Sequence, residues 1–155
     1  MRKRQISPTP SEPLDQGRWL DLDRNAQVEY SSEDPAHPVE AALLGSGGAG
    51  WRAAEPGPQT IRILFDTPQD LRLIRIEFRE SEVGRTQEYV LRWSGDGREF
   101  RDIVRQQWNF SPGGSPEQVE EHRVELAEVT VLSLEITPDI GGGGAVASLQ
   151  RLCVR

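Results

Sequence analysis

The chain has 155 residues, a formal net charge of −7 and a single cysteine. This length suits one domain with a hydrophobic core, and a single cysteine excludes an intramolecular disulfide. The acidic balance opposes direct binding to nucleic acid or to an anionic membrane surface, which both require clustered basic residues. The 15 glycines and 11 prolines predict many turns, which favours short strands over long helices.

The N-terminal segment, residues 1–17, is rich in proline and polar side chains and is predicted to be a flexible, disordered tail. Its first basic residues resemble the n-region of a signal peptide, but no apolar h-region follows them. No apolar run in the sequence is long enough to cross a bilayer. Together with the lone cysteine, these features predict a cytoplasmic protein, with residues 18–155 forming one folded domain.

The first folded segment mixes strand and loop signals. Polar and apolar residues alternate at 18–22 and 27–31, as is typical of half-buried strands. Residues 31–38 (SSEDPAHP) have the composition of a loop. Residues 39–44 (VEAALL) predict a single helical turn, because Pro38 stands at a favourable position for starting one.

A glycine-rich stretch, LLGSGGAGW, follows this helical turn and matches the pattern G-x-G-x-x-G at Gly45, Gly47 and Gly50. A dinucleotide-binding loop requires a buried parallel strand before this pattern and a helix after it. Here the prolines of the following EPGPQ segment would end a helix almost at once. The glycines are therefore interpreted as a flexible turn that delivers Trp51 to the core.

From residue 59 onwards, apolar and polar residues alternate in successive short runs, which predict strands. Turns or loops are predicted between these runs, at 67–70, 81–87, 94–97, 111–118 and 140–145. The alternation changes phase between Leu73 and Ile74, which predicts a β-bulge or burial on both faces. Without a long helix or a repeat, this pattern predicts an all-β sandwich or jelly roll.

Four stretches, in this order, resemble the discoidin or coagulation factor 5/8 type C family: AQVEYSSEDPAHPVEAALLG…GW, QTIRILFDTPQDLRLIRIEF, QEYVLRWSGDGREF and LEITPD…ASLQRLCV. The most specific pieces are the SGDGREF turn and the terminal ASLQRLCV strand. The resemblance covers residues 26–154. It implies an eight-stranded antiparallel jelly-roll sandwich of the galactose-binding-like class. A more distant likeness, through WRAA, is to the amino-terminal domain of a single-strand-break repair scaffold.

The resemblance implies a binding site on three loops at one end of the barrel, here residues 31–38, 79–87 and 108–118. A sugar site needs a planar aromatic face and charged or amide groups that bind hydroxyls. The candidates in these loops are His37, Arg79, Glu82, Arg85, Trp108 and Asn109. His37 with Arg79 or Arg85 would hold the hydroxyls, and Trp108 would be the stacking platform, with Phe110 as a second.

Several of these candidates also have structural interpretations. Trp108 ends a predicted strand and is equally compatible with the core, because large aromatic side chains are mostly buried. Arg79, Glu82 and Arg85 are also typical of a solvated charged loop.

The other tryptophans and the second histidine are predicted to be structural. Trp51 and Trp93 follow apolar positions and are predicted to lie in the core, while Trp19 is predicted to cover the base of the barrel. His122 stands on a predicted strand, in alternation with apolar residues, and is predicted to be partly buried.

Many members of the family carry a structural calcium ion, which requires several oxygen ligands with carboxylates among them. Family members often have Asp-Gly where this chain has Leu44 and Gly45, and a glutamate where this chain has Arg151. The resemblance therefore implies no family-type calcium site here, and no other metal or cofactor is predicted.

No catalytic constellation stands out in the sequence, because it has no G-x-S-x-G nucleophile elbow and its two histidines are far apart. We therefore predict a non-catalytic binding module. The first hypothesis is carbohydrate binding through the three loops, with an oligomer or a partner domain supplying avidity. The alternative is an intracellular protein–protein interaction module for scaffolding or assembly, with a DNA-repair role as a variant. No direct contact with nucleic acid or membrane is expected.

Overall fold

The computed structural model describes residues 19–45, 48–111 and 113–155; the predicted tail, residues 1–17, lies outside them. The elements in chain order are α1 (Leu22–Asn25), β1 (Ala26–Tyr30), α2 (Glu40–Leu43), β2 (Trp51–Pro56), β3 (Gln59–Arg79), β4 (Arg85–Ser94), β5 (Arg101–Phe110), β6 (Glu117–Thr137), β7 (Val146–Leu149) and β8 (Arg151–Val154). No helix in these ranges is long and apolar enough to span a bilayer.

The strands pair throughout in antiparallel fashion. The main sheet has the order β1-β3-β6-β4-β5, with β8 added to the second half of β3, while β2 and β7 form a separate pair. The predicted all-β, eight-stranded antiparallel jelly-roll sandwich is confirmed.

Two long strands connect the layers of the sandwich. β3 and β6 each have 21 residues, and their register shifts three times between Leu64 and Leu73. The register is regular from Leu73 to Ile74, and both side chains are buried, so the change of phase there reflects burial on both faces and not a bulge. The irregularities before Leu73 let both strands bend without ending. The predicted turn at 67–70 is wrong for this reason, because those residues continue β3.

The core lies between the layers and is mainly aliphatic. Its fully buried side chains include Ile61, Ile63, Leu91, Leu132 and Leu134, and each contributes roughly 1.5–3 kcal/mol of transfer free energy. The two tryptophans predicted to be core differ from each other. Trp51 is fully buried, whereas Trp93 is only partly buried and packs against the edge of the core.

The described residues of the glycine-rich stretch lead into Trp51, which lies in the core as predicted. Gly50 has a φ of +73°, and a Cβ there would lie 2.9 Å from the Cα of Gln150. Only glycine combines this backbone conformation with so close an approach. The indole Nε1 of Trp51 then donates to the carbonyl of Ser32 at 3.0 Å.

Candidate functional site

A cleft of about 260 Å³ opens at one end of the sandwich and is a small, mainly polar site. It is formed by the 31–38 loop, the start of β2, the loop after β3 and the junction of β7 with β8. Three residues singled out from the sequence line it together: His37, Arg79 and Glu82.

The first loop is held rigidly against β2. The amide of Asp34 donates to the carbonyl of Arg52 at 2.8 Å, and the amide of Arg52 donates to the carbonyl of His37 at 3.1 Å. The carboxylate of Asp34 also accepts from the amide of Ala36 at 2.9 Å and lies 3.6 Å from Nδ1 of His37. This carboxylate therefore caps the turn and lies beside the imidazole, whose buried Nδ1 has no hydrogen-bond partner among the described residues.

The second loop is anchored to the strand beside it. The amide of Glu80 donates to the carbonyl of Pro116 at 2.7 Å, and Nη2 of Arg79 donates to Oε1 of Glu117 at 2.8 Å. The carboxylate of Glu80 caps the turn by accepting from the amide of Glu82 at 3.2 Å. The side chain of Arg79 stays 62% exposed, so it can reach a ligand in the cleft.

Arg85 supports this loop from below. Its side chain is only 1% exposed, and its Nε donates to Oε1 of Glu80 at 2.9 Å. Its Nη1 donates to Gln87 at 3.0 Å and to the carbonyl of Pro138 at 2.8 Å. The geometry therefore corrects the prediction that Arg85 contacts a ligand, because its guanidinium is used inside the protein.

The charge on Glu80 depends on Arg85. Burial of Glu80 opposes its ionisation, but the hydrogen bond and charge of Arg85, with the backbone amides of Glu82 and Val83, outweigh that penalty and lower the pKa of Glu80. The ion pair therefore holds the loop in its folded form at neutral pH.

No described residue of the third predicted loop lines the cleft. Trp108 is paired with Gln87 on β4 and packs against the core, with its indole Nε1 buried. Phe110 is 2% exposed and lies under Arg85, whose Cζ is 4.8 Å from the ring centroid, so the prediction of a second stacking platform there is wrong. Asn109 is exposed and contacts the hydroxyl of Thr86. None of the three aromatic or amide candidates lines the cleft.

Five polar residues that line the cleft were missed from the sequence: Arg52, Glu80, Ser81, Ser148 and Gln150. Arg52 lines it and has no side-chain partner among the residues that the structure describes. Gln150 also lines it, and its Nε2 donates to the carbonyl of Gly48 at 2.8 Å. Strand alternation could have revealed Arg52, because the residue after the buried Trp51 must point outwards.

The cleft offers groups that recognise hydroxyls. Guanidinium groups, an imidazole and a carboxylate come from three segments, and these segments are fixed by backbone hydrogen bonds. Charge-assisted hydrogen bonds of this kind are short and directional. Among the described residues of this lining, Trp51 is the one large aromatic side chain, and it is fully buried. Recognition in the cleft would therefore depend on polar contacts.

The absence of a family-type calcium site stays a prediction, but the residues named for it can be located in the structure. Where a carboxylate is needed, Arg151 extends its guanidinium towards Gly45, and a Cβ at that glycine would lie 2.9 Å from Nη2. A cation in this position repels calcium, and Leu44 supplies no side-chain oxygen.

Several solved structures with this fold are carbohydrate-binding modules, and they share little sequence with the chain. CBM32-3 from a family 31 glycoside hydrolase of Clostridium perfringens has a TM-score of 0.66 at 18% identity, over 91% of this chain and 96% of that one. The family 32 module of C. perfringens NanJ, solved with galactose, has a TM-score of 0.60 at 16% identity, over 88% and 96%. A pectin-binding carbohydrate-binding module has a TM-score of 0.64 at 15% identity, over 85% and 91%.

A family relationship can be recognised from the sequence, although the identities to these solved structures are low. No curated protein matches the chain. The sequence model of the F5/8 type C domain, however, matches residues 27–150. This range contains all of β2 to β7 and every described residue that lines the cleft. The chain therefore belongs to the F5/8 type C domain family.

Proposed function

We propose that this chain is a non-catalytic carbohydrate-binding module whose ligand site is the cleft lined by His37, Arg52, Arg79 and Glu82. The observation that carries the proposal is the convergence of these side chains at the loop end of the sandwich, on rigid segments. The family and the carbohydrate-binding modules that share its fold support the same function.

In this proposal, recognition rests on hydrogen bonds to sugar hydroxyls. Arg52 and Arg79 donate to the hydroxyls, and the exposed carboxylate of Glu82 accepts from them. The imidazole of His37, whose Nδ1 lies 3.6 Å from the carboxylate of Asp34, donates or accepts according to its tautomer. Because the cleft is small and open, one sugar binds weakly, and several copies or a multivalent glycan would supply avidity.

Binding to a glycan array tests the site when the purified protein is presented multivalently. We expect selective binding to glycans with neutral sugars. Arg52→Ala and Glu82→Gln should each lower the apparent affinity by about tenfold or more, because each removes a charge-assisted hydrogen bond.

Asn109→Ala is the matched control, because Asn109 is exposed on the third loop but does not line the cleft. It should leave glycan binding unchanged. Loss of binding in Asn109→Ala with retention in both cleft variants would move the site to the third loop. An array that stays silent for folded, multivalent protein would contradict carbohydrate binding itself.

A further inference from the structure

The cleft at the loop end adjoins a second cavity on the outer face of the sheet. This cavity has a volume of about 380 Å³, and we call it the β3 groove. Residues 75–79 of β3, two residues of β6 and Gln150 line it. Arg79 and Gln150 also line the cleft, so the two cavities meet at these residues. A ligand that leaves the cleft past Arg79 would therefore enter the groove.

Strand register builds the floor of the groove. On β3, Arg75, Glu77 and Arg79 alternate with buried residues, so their side chains share the outer face. On β6, Glu117 is paired with Arg79, and Val119 is paired with Glu77. The outward positions from Arg75 to Arg79 span about 13 Å of strand, which exceeds the length of one sugar ring. The groove is therefore long enough for more than one sugar residue.

The charged side chains of the groove are paired with one another. Nη2 of Arg79 donates to Oε1 of Glu117, and Nη2 of Arg75 donates to Oε1 of Glu77, each at 2.8 Å. The described lining thus carries as many glutamates as arginines. All four side chains stay partly exposed, and each has more hydrogen-bonding positions than one ion pair uses. Such a lining fits a neutral ligand with many hydroxyls better than an ion.

Val119 gives the groove an apolar surface, because its side chain is 48% exposed. A single exposed valine is common on protein surfaces. Here, however, strand register places it between two cross-strand ion pairs, one from Arg79 to Glu117 and one from Arg75 to Glu121. An apolar patch between polar rows matches a sugar ring, which has a face of C–H groups and an edge of hydroxyls.

Gln150 fixes the junction between the two cavities. Its backbone amide donates to the carbonyl of Glu77 at 2.9 Å, and its side-chain Nε2 donates to the carbonyl of Gly48 at 2.8 Å. One bond holds the residue to the floor of the groove, and the other holds it to a residue that lines the cleft. The junction is therefore preformed, which lowers the cost of ordering the protein around a bound chain.

We infer that the cleft and the β3 groove form one extended site for a neutral oligosaccharide, with a terminal sugar in the cleft and the next sugars along the outer face of β3. This inference rests on the proposed carbohydrate-binding function and adds a ligand class, a linear chain rather than a single sugar. Each added sugar gains contacts without a second loss of translational freedom. Val119 covers less of a ring than an aromatic side chain would, so the gain per sugar is modest.

Titration of the full chain with sugars of increasing length, followed by NMR, tests this inference. The probes are the monosaccharide, disaccharide and tetrasaccharide of β-1,4-linked galactose, glucose and mannose. In a series that binds, the tetrasaccharide should bind about tenfold or more tighter than the monosaccharide, because several hydrogen bonds are added.

Substitutions of Val119 change the groove alone, because this residue does not line the cleft. Val119→Ser should weaken tetrasaccharide binding about threefold through lost apolar contact. Val119→Trp should strengthen it about threefold or more through stacking on the ring. Neither should change monosaccharide binding. Ile140→Trp is the matched control, because Ile140 is also 48% exposed and lines neither cavity, and it should leave every affinity unchanged.

Three results would overturn the inference and leave the cleft as a site for a single sugar. They are equal affinities for monosaccharide and tetrasaccharide, unchanged tetrasaccharide affinity in both Val119 variants, and equal effects of Val119→Trp and Ile140→Trp. Silence of all three series overturns it as well, and the glycan array then decides whether the cleft binds another sugar. Glu82→Gln should weaken monosaccharide and tetrasaccharide alike, so failure of the cleft is distinguished from failure of the groove.

Discussion

Two parts of the interior are stabilised in different ways. In the part away from the loops, the buried side chains are aliphatic, such as Ile63 and Leu134. Beneath the cleft, the inward positions hold Arg85, Gln87 and Gln118, all at most 5% exposed. The first part is stabilised by apolar burial, whereas the second must satisfy buried polar groups with partners inside the protein.

The buried polar groups beneath the cleft keep it open and rigid. An apolar end of the sandwich would collapse to exclude water, but the Arg85 network fixes the loop after β3 at defined distances through Glu80, Gln87 and Pro138. The buried charge contributes little net stability in such networks, because its desolvation is costly. What it does specify is the position of the loop that carries Arg79 and Glu82.

The largest effect is expected from Arg85→Ala. It leaves Glu80 and Gln87 without their donor in a buried site, so the free energy of unfolding should fall by about 3–5 kcal/mol. Urea denaturation at pH 7.5 measures it. Arg79→Ala is the matched control, because its ion pair is exposed and should contribute at most about 1 kcal/mol. Similar small losses in both variants would show that the buried network is not needed for stability.

A smaller effect is expected where a hydrogen bond crosses the sandwich. The hydroxyl of Tyr89 lies 2.7 Å from Nε2 of His122, and His122 is half-buried on β6, as predicted. Tyr89→Phe should lower the free energy of unfolding by about 1–3 kcal/mol, because it leaves the imidazole without this partner. Denaturation of the variant at pH 8, where the imidazole is neutral in both states, measures the loss. A loss below the error of the measurement would contradict this role.

The same contact predicts a pH dependence. Burial lowers the pKa of His122, although the charge of Glu120 opposes this. The unfolded chain therefore binds a proton near its ordinary pKa of about 6.5, while the folded chain resists protonation. The contribution is complete above that pH and is lost as the pH falls below it. His122→Leu should remove the decline in stability between pH 8 and 5.5, and a decline that persists unchanged would assign it to other groups.

The sequence predicted the all-β class and most of the strands, because strand alternation and turn residues are local signals. It failed at 67–70, where a turn signal from Pro68 and Asp70 was overridden by pairing with β6. A bulged strand can carry turn-forming residues when its partner bends with it. That partner lies about 60 residues further along the chain, so no local pattern reveals it.

The cleft was partly predictable for a similar reason. His37, Arg79 and Glu82 lie in loops whose composition is visible in the sequence. Arg85 was misinterpreted because β4 begins there, and the inward positions of that strand continue through Gln87. Arg52 was missed because it stands on a strand, and only the packing of the 31–38 loop against β2 brings it to the cleft.

The smallest effect, with the opposite sign, is expected at Gln118. Both amide atoms of its side chain are buried and lack a hydrogen-bond partner among the described residues, whereas Oε1 of Gln87 accepts from Arg85. Gln118→Met should therefore leave the free energy of unfolding unchanged or raise it by up to about 1 kcal/mol, because it removes an unsatisfied amide at similar volume. Gln87→Met should lower it by about 1–3 kcal/mol, because it leaves a buried guanidinium donor unpaired.

Urea denaturation of the two variants side by side separates these expectations, since the two changes are chemically identical and both sites are buried. A loss of more than about 1 kcal/mol in Gln118→Met would mean that its amide is satisfied, and an internal water molecule bound to it would be the explanation. The polar part of the interior would then be a hydrated network that includes both layers. If the two variants differ as expected, the network ends at Gln87, and the layer formed by β6 contributes only packing beneath the cleft.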